Sequence, residues 1–378
     1  MQSCVYSFFL KLYPGKVHLT VVVSPLKSLM LDQEKRWNEM GISSAAVISD
    51  MSPETARSVL AGHVRLIFMS PEIILQQPWW GWLRDRRQDI CLLAIDEVHC
   101  MTTWGASFRE GYSKVSSVRS LLSCPILMLT ATATGRMVGE VMEQLHLDKG
   151  AVEMVSVLPN RPNIHLQVQK CSAELATELA WLLTDLKEKG KDAERTIIYC
   201  RTITTVWQVF GWIMKELKDS GMAYTEEPHS VKNQVVDMFH GKTGAASQSR
   251  ILSRFTERDS SLRCVVATVA FGMGVQVSDI RHVVHWGPSK DILSYWQEVG
   301  RCARDGEEGN AKMYVFPRSL DTRFIDARMI ALVNSSQSTC IRKTVLEHLF
   351  VQGMERNDLS AACNLGSGCC SVCDAKTS

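Results

Sequence analysis

Eight short apolar runs, continuous rather than alternating with polar residues, mark out the chain: "LTVVVSP", "VRLIFMSP", "ICLLAIDE", "PILMLTAT", "RTIIYCRT", "LRCVVATV", "IRHVVHWG" and "AKMYVF". A strand that is apolar on both faces must be covered on both, which is the habit of parallel sheets sandwiched between helices. Stretches of helical period lie between the runs and supply that cover. The expected fold class is therefore α/β with parallel sheets. The series pauses at residues 156–170, "SVLPNRPNIHLQVQK", where Pro159 and Pro162 bracket a linker. Past about residue 322 the pattern turns helical. A chain of 378 residues has room for two or three domains, and the expected divisions are 1–157, 158–322 and 323–378.

Net charge is only +2, with 46% hydrophobic and 22% charged residues, so nucleic-acid binding has to come from local patches rather than a global field. No apolar run is long enough to span a bilayer, and no membrane partner is expected. The opening "MQSCVYSFFLKLYPG" lacks a basic n-region and is interrupted by Lys11, so it reads as a buried helix rather than a signal peptide. Of 13 cysteines, Cys91, Cys124, Cys200 and Cys264 sit in or beside strand-like runs as small core residues. Five crowd the last forty positions, which points to a reducing compartment and a metal site. Cys370 and Cys373 form a Cys-x-x-Cys pair, and distant thiolates complete the kind of sulfur set that suits tetrahedral zinc.

In open parallel sheets, ligands gather at the carboxyl ends of strands. "CLLAIDEVHC" ends a strand in Asp96 and Glu97. Adjacent carboxylates there suit phosphate hydrolysis, in which Asp holds Mg²⁺ through water and Glu orients or deprotonates the water attacking a γ-phosphate. Next comes "CMTTWGASFREGY", with Trp104, Phe108 and Tyr112 at four-residue spacing near Arg109 and Lys114. Rings among cations can stack bases and grip phosphates, although such spacing also describes one apolar helix face. "LMLTATAT" brings hydroxyls (Thr130, Thr132, Thr134) to another strand end. In the second half "VVATVAFGMGV" runs into Gly272 and Gly274, and "YWQEVGRCARDG" offers Gln297, Arg301 and Arg304. Two arginines three apart are expected on one helical face, where planar forks suit phosphate.

In order along nearly the whole chain, "VVVSPLKSLMLDQ", "MSPE", "DEVHC", "WGASFREGY", "TATAT", "RPN", "IIYCRT", "ATVAFGMGV" and "QEVGRCARDG" resemble the RecQ family of superfamily 2 DNA helicases. The resemblance implies two RecA-like lobes with ATP in the cleft and single-stranded DNA crossing both, followed by a small helical zinc-binding module. It implies 3′–5′ translocation coupled to hydrolysis, action on duplex or junction DNA in repair and recombination, and nuclear residence. It makes Asp96 the Mg²⁺-binding carboxylate, Glu97 the catalytic one, and His99 the link between nucleotide and DNA. It puts Trp104, Phe108 and Arg109 in an aromatic-rich loop, and Ser24, Lys27, His240 and Gly241 near DNA. Thr130, Thr132, Gly272 and Gly274 would couple the lobes, while Gln297, Arg301 and Arg304 would serve the nucleotide. Zinc would be held by Cys340, Cys369, Cys370 and Cys373, with Cys363 in reserve, because Lys376 stands where the family's knuckle has a further cysteine. Ser107, Glu110 and Gln276 also depart from the family pattern.

A phosphate loop needs Gly-x-x-x-x-Gly-Lys-Ser/Thr between a strand and a helix. Gly241-Lys242-Thr243 has Val236 where the first glycine belongs, and "NQVVDMF" before it reads as helical; "PGKV" at 14–17 lacks the hydroxyl. Neither is expected to be the loop. The chain is accordingly expected to be partial, to be ATPase-deficient as written, and to miss an interior strand of its first sheet, exposing two edges. The two functional readings are a helicase lacking its beginning and a DNA-binding remnant without turnover. A zinc-stabilised scaffold is a third that leaves the motif series unexplained.

Overall fold

The computed structural model describes residues 18–25, 27–103, 115–225, 229–272, 277–363 and 368–377. The chain divides into two compact units, Met1–Val155 and Ser156–Ser378. In the first, strands β1 (Leu19–Val23), β2 (Ser44–Val47), β3 (Leu66–Met69), β4 (Ile90–Ile95) and β5 (Ile126–Met128) form a parallel sheet in the order β2-β3-β1-β4-β5. Helices α1 (Lys27–Glu39), α2 (Pro53–Leu60), α3 (Trp79–Asp85), α4 (Cys100–Thr103), α5 (Val115–Leu121) and α6 (Gly135–Gln144) connect them. Alternate residues of each strand feed opposite cores. Val21, Val23, Leu93 and Ile95 pack toward Trp79, Trp82 and Leu83, while Val22, Phe68, Leu92 and Ala94 pack toward Met30 and Trp37. This is the burial on both faces that the continuous apolar runs demand.

The second unit holds β6 (Ile164–Lys170), β7 (Arg195–Cys200), β8 (Val236–Phe239), β9 (Cys264–Ala267), β10 (Ile280–Trp286) and β11 (Gly309–Val315), all parallel, in the order β6-β11-β10-β7-β9-β8. Its helices are α7 (Leu175–Glu178), α8 (Ala180–Lys189), α9 (Ile203–Asp219), α10 (Ala245–Thr256), α11 (Ile292–Val299), α12 (Ala327–Ser335), α13 (Ile341–His348), α14 (Arg356–Cys363) and α15 (Ser371–Thr377). The last four follow residue 322 and lie within this unit. A bridge between Leu166 and Cys370, with Leu166 N–H donating to Cys369 O at 3.4 Å, ties the cysteine-rich end to the outer strand β6. Among the described residues no helix is long and apolar enough to cross a membrane.

All eight apolar runs contain strands, and three strands lie outside them. The supposed linker contains β6, whose Ile164 and Leu166 are buried while His165 and Gln167 are half-buried. "NQVVDMF" is not helical but ends in β8; its apolar spacing at 235, 236, 238 and 239 fits a helix equally well, and pairing to β9 decides. Among the described residues the five strands of the first sheet bond in unbroken order, with β5 at one edge.

Candidate functional site

Asp96 follows the last residue of β4, where its amide donates to Val23 O at 2.9 Å. The side chain is only 7% exposed. Burial, reinforced by the neighbouring Glu97, pushes its carboxyl up to about 6, against the opposing influence of the Glu97 amide, which donates to Oδ1 at 3.0 Å. Glu97 has a left-handed φ of 48°, so the chain turns sharply between the two carboxylates. Glu97 Oε2 lies 3.1 Å from His99 Nδ1, and the same nitrogen lies 3.0 Å from Thr130 Oγ1. The Thr130 hydroxyl donates to Thr132 O at 2.8 Å, so Nδ1–H is the donor to Thr130 Oγ1. Glu97 Oε2 is thus held beside the ring at ion-pair distance while making no hydrogen bond of its own. Strand ends β4 and β5 thus bring Asp96, Glu97, His99, Thr130 and Thr132 into one cluster.

Other predicted residues are less available. Ser24, at the end of β1, is 1% exposed, and its Oγ has no partner, so its side chain does not face solvent as the expected DNA contact requires. Lys27 is exposed at the start of α1 and pairs through Nζ with Asp50 at 2.6 Å. Trp104, Phe108, Arg109 and Gly274 lie outside the described residues, and Gly272 closes a 3₁₀ turn, Val269–Gly272.

Gln297 sits on α11, but Arg301 and Arg304 do not share that helix. The helix stops at Val299, Gly300 caps it, and Ala303 adopts a φ of 46°, so the arginines project from a turn. Arg161 and Asn163, which the sequence offers only as part of "RPN", pin that turn. Arg161 donates to Gly300 O at 2.9 Å and to Cys302 O and Ala303 O at 2.8 Å, and Asn163 Nδ2 reaches Ala303 O at 3.0 Å. Arg304 Nε donates to Gly300 O at 3.2 Å. Glu298, on α11, anchors a buried polar trio: its Oε2 accepts from Ser289 Oγ at 2.5 Å and meets His285 Nε2 at 2.9 Å. Tyr199, stacked on His285, has its phenol pushed up to about 12 by burial, against the pull of Arg301.

His240 and Gly241 open the loop after β8. A strand does precede Gly241-Lys242-Thr243, and α10 follows it, contrary to expectation. The loop nevertheless closes on itself. Thr243 N–H donates to His240 O at 2.9 Å, His240 N–H donates to Thr243 Oγ1 at 3.0 Å, and His240 Nδ1 lies 3.3 Å from the same oxygen. The hydroxyl that a phosphate loop reserves for its cation is engaged with His240.

Cys340, Cys369, Cys370 and Cys373 converge with all four sulfurs within 4.8 Å of one another. Three of the sulfur–sulfur distances are 3.7 Å (340–369), 3.9 Å (340–370) and 3.6 Å (370–373). Four sulfurs at about 2.3 Å from a tetrahedral ion are about 3.8 Å apart, so the donor set fits zinc in both chemistry and spacing. Lys376 donates instead to Ser338 O at 3.0 Å, and the side chain of Cys363 lies outside the described residues.

Comparison with known proteins agrees with this architecture. Residues 7–141 match the DEAD/DEAH box helicase family and residues 177–306 the helicase conserved C-terminal domain. The chain is 33% identical over 312 residues to the ATP-dependent helicase wrn-1 of Caenorhabditis elegans, covering 80% of this chain and 27% of that one. It is 34% identical to the probable ATP-dependent DNA helicase RecS of Bacillus subtilis, over 76% of this chain and 54% of the relative. With the ATP-dependent DNA helicase RecQ of Synechocystis identity is 30%, over 76% and 57% respectively. It therefore spans less than two thirds of each of these relatives. The helicase Lhr of Mycobacterium smegmatis, bound to ssDNA and AMP-PNP, superposes with a TM-score of 0.61 at 15% identity, covering 96% of this chain and 52% of that one. Dbp5 of S. cerevisiae, bound to RNA and ADP BeF3, gives 0.61 at 15%, over 96% and 87%. These likenesses identify the two parallel-sheet units as RecA-like lobes. With both helicase domains in sequence and relatives of RecQ type matching most of its length, the chain belongs to the RecQ family of superfamily 2 helicases.

Proposed function

We propose that this chain carries the hydrolytic and DNA-tracking parts of an ATP-dependent 3′–5′ DNA helicase, acting on single-stranded and duplex or junction DNA. The observation that carries the reading is the Asp96–Glu97–His99–Thr130 cluster. Its Asp96 is a buried carboxylate at the carboxyl end of a strand, beside a second carboxylate, which is the setting a Mg²⁺ ligand needs. When bound, Mg²⁺ neutralises charge building on the phosphate oxygens, and Asp96 is the residue that holds it. Glu97, with an oxygen that makes no hydrogen bond, orients and deprotonates the attacking water. His99, bonded to Thr130 at the end of β5, reports the state of that carboxylate to the next strand. Arg301 and Arg304 present guanidinium groups to the γ-phosphate, held by the turn that Arg161 and Asn163 pin. The four-cysteine centre is proposed to hold zinc and to fix the helices after residue 322 against β6.

The written sequence contains no Gly-x-x-x-x-Gly-Lys-Ser/Thr, so residues 1–378 alone are expected to lack DNA-stimulated ATPase activity. The test measures ATP hydrolysis on this chain and on a version carrying a phosphate loop upstream. Turnover only in the longer protein, abolished by Glu97→Gln, supports the assignment. Turnover by residues 1–378 would sink the deficiency claim. Silence in both, with DNA binding retained, would leave a binding remnant in place of a helicase.

A further inference from the structure

Arg342 stands on the first turn of α13, two residues after Cys340, and is 0% exposed. Its fork donates to Asn160 Oδ1 at 3.0 Å, Arg161 O at 2.7 Å, Ile164 O at 2.5 Å and Cys369 O at 3.3 Å. All four acceptors are neutral. Among the described residues no carboxylate bonds to it, and its Nε has no hydrogen-bond partner. The nearby Tyr295 is fully buried with an unpartnered hydroxyl, and burial keeps its phenol neutral. A guanidinium this deep is tolerated only with a counter-charge, because neutral carbonyls replace its hydration but not its neutralisation.

The candidates for that charge are the sulfurs. The guanidinium donates to the carbonyl of Cys369, whose sulfur is one of the four that converge. Four neutral thiols would leave Arg342 uncompensated. Four thiolates on one divalent ion carry a net charge of −2, and a single arginine against them halves it. Position adds a second effect. Cys369 and Cys370 are adjacent, and neighbouring residues of extended chain point to opposite faces. Here Gly368, at a φ of 88°, turns the chain, and the Cys369 carbonyl is gripped by Leu166 N–H and by Arg342.

We propose that Arg342 is the buried counter-cation of a tetrathiolate metal centre and a positioning residue for its ligand Cys369. The inference rests on the zinc reading above, and the test separates the two. Full-length chain is purified with zinc, and its affinity is measured by competition with a colorimetric chelator. Cobalt-substituted samples report whether four sulfurs still bind. Arg342→Met should lower zinc affinity about 10–100-fold while the cobalt spectrum keeps its four-sulfur signature, as loss of a group supporting metal ligands does elsewhere. Arg342→Lys, which keeps the charge but not the fork that grips Cys369 O, should lose less than Arg342→Met, by no more than about tenfold. A purely structural arginine would lower thermal stability in both variants and leave affinity unchanged, and that result overturns the inference. So does a loss in Arg342→Lys as large as in Arg342→Met. Should Arg342→Met fail to fold, Arg342→Lys decides alone, since a loss greater than about tenfold refutes the charge role. Wild-type chain without zinc overturns the metal reading itself, and this inference with it.

Discussion

Replacing Asp96 by Asn should make the protein more stable, with a gain that grows between about pH 4 and about pH 6 and is constant above. In the folded chain burial and the adjacent Glu97 hold the Asp96 carboxyl at about 6, against an ordinary 3.8. Below 3.8 both folded and unfolded chains carry the proton, and ionisation costs nothing. Between 3.8 and about 6 the unfolded chain has lost its proton while the folded chain still holds it, so native stability falls across that window and levels off above it. At about 1.36 kcal/mol per pH unit, the full cost above pH 7 is about 3 kcal/mol. Asn is never charged, and its Oδ1 can still accept from the Glu97 amide. Urea denaturation of wild type and Asp96→Asn, in magnesium-free buffer at pH 4, 6 and 8, should show a gap near zero at pH 4. At pH 8 the gap should reach about 3 kcal/mol in favour of the variant. Added Mg²⁺ should narrow it by stabilising wild type alone. No gain at pH 8, or a gain that does not shrink between pH 6 and pH 4, would mean the burial of Asp96 carries no such cost.

Two further substitutions test the scaffolding. Glu298→Ala removes the shared acceptor of Ser289 and His285 and leaves two buried donors unpaired, a loss of about 2–5 kcal/mol by denaturation; Glu298→Gln, which keeps one acceptor, should lose clearly less. Equal losses would show that the trio acts by packing alone. Thr134 caps α6 by accepting from Met137 N–H at 3.2 Å, so Thr134→Ala should cost about 1 kcal/mol and Thr134→Ser very little. A neutral Thr134→Ala would place the start of that helix under other control.

Strands built mostly of contiguous apolar residues announce themselves, and this is why β1, β3, β4, β5, β7, β9, β10 and β11 are legible from the chain alone. The three that escape notice do so for separate reasons. β2 is built on Ser-Ala-Ala-Val, small residues with weak strand preference. β6 alternates Ile, Leu and Val with His and Gln, a period-2 signal masked by two prolines just before it. β8 is four residues long, too short for period to separate strand from helix. Among the cysteines of the candidate metal centre, spacing picks out Cys370 and Cys373, but bringing Cys369 to them depends on which backbone meets the edge of β6. No pattern within residues 340–373 contains that information.

The functional turns were hidden for a reason that is local and physical. Glu97 and Ala303, neither of them glycine, occupy left-handed backbone conformations at φ values of 48° and 46°. Each costs of order 1–3 kcal/mol and persists only where surrounding bonds over-determine it. At Glu97 those bonds are visible. Asp96 N–H binds Val23 O on one side, and Val98 N–H binds Leu129 O on the other, so adjacent strands clamp the turn. At Ala303 the clamp is Arg161 and Asn163, which reach its carbonyl from more than 130 residues away, and Ile280 O, which accepts its amide at 2.7 Å. A helix continued past Gly300 would have set Arg301 and Arg304 on one face, as their spacing suggests. The clamped turn instead fixes each arginine separately, and it does so with bonds that no local reading of "GRCARDG" can supply. Both carboxylates and both arginines are therefore set by strain that distant residues sustain, which is why the motifs identify the chemistry while tertiary contacts determine its geometry.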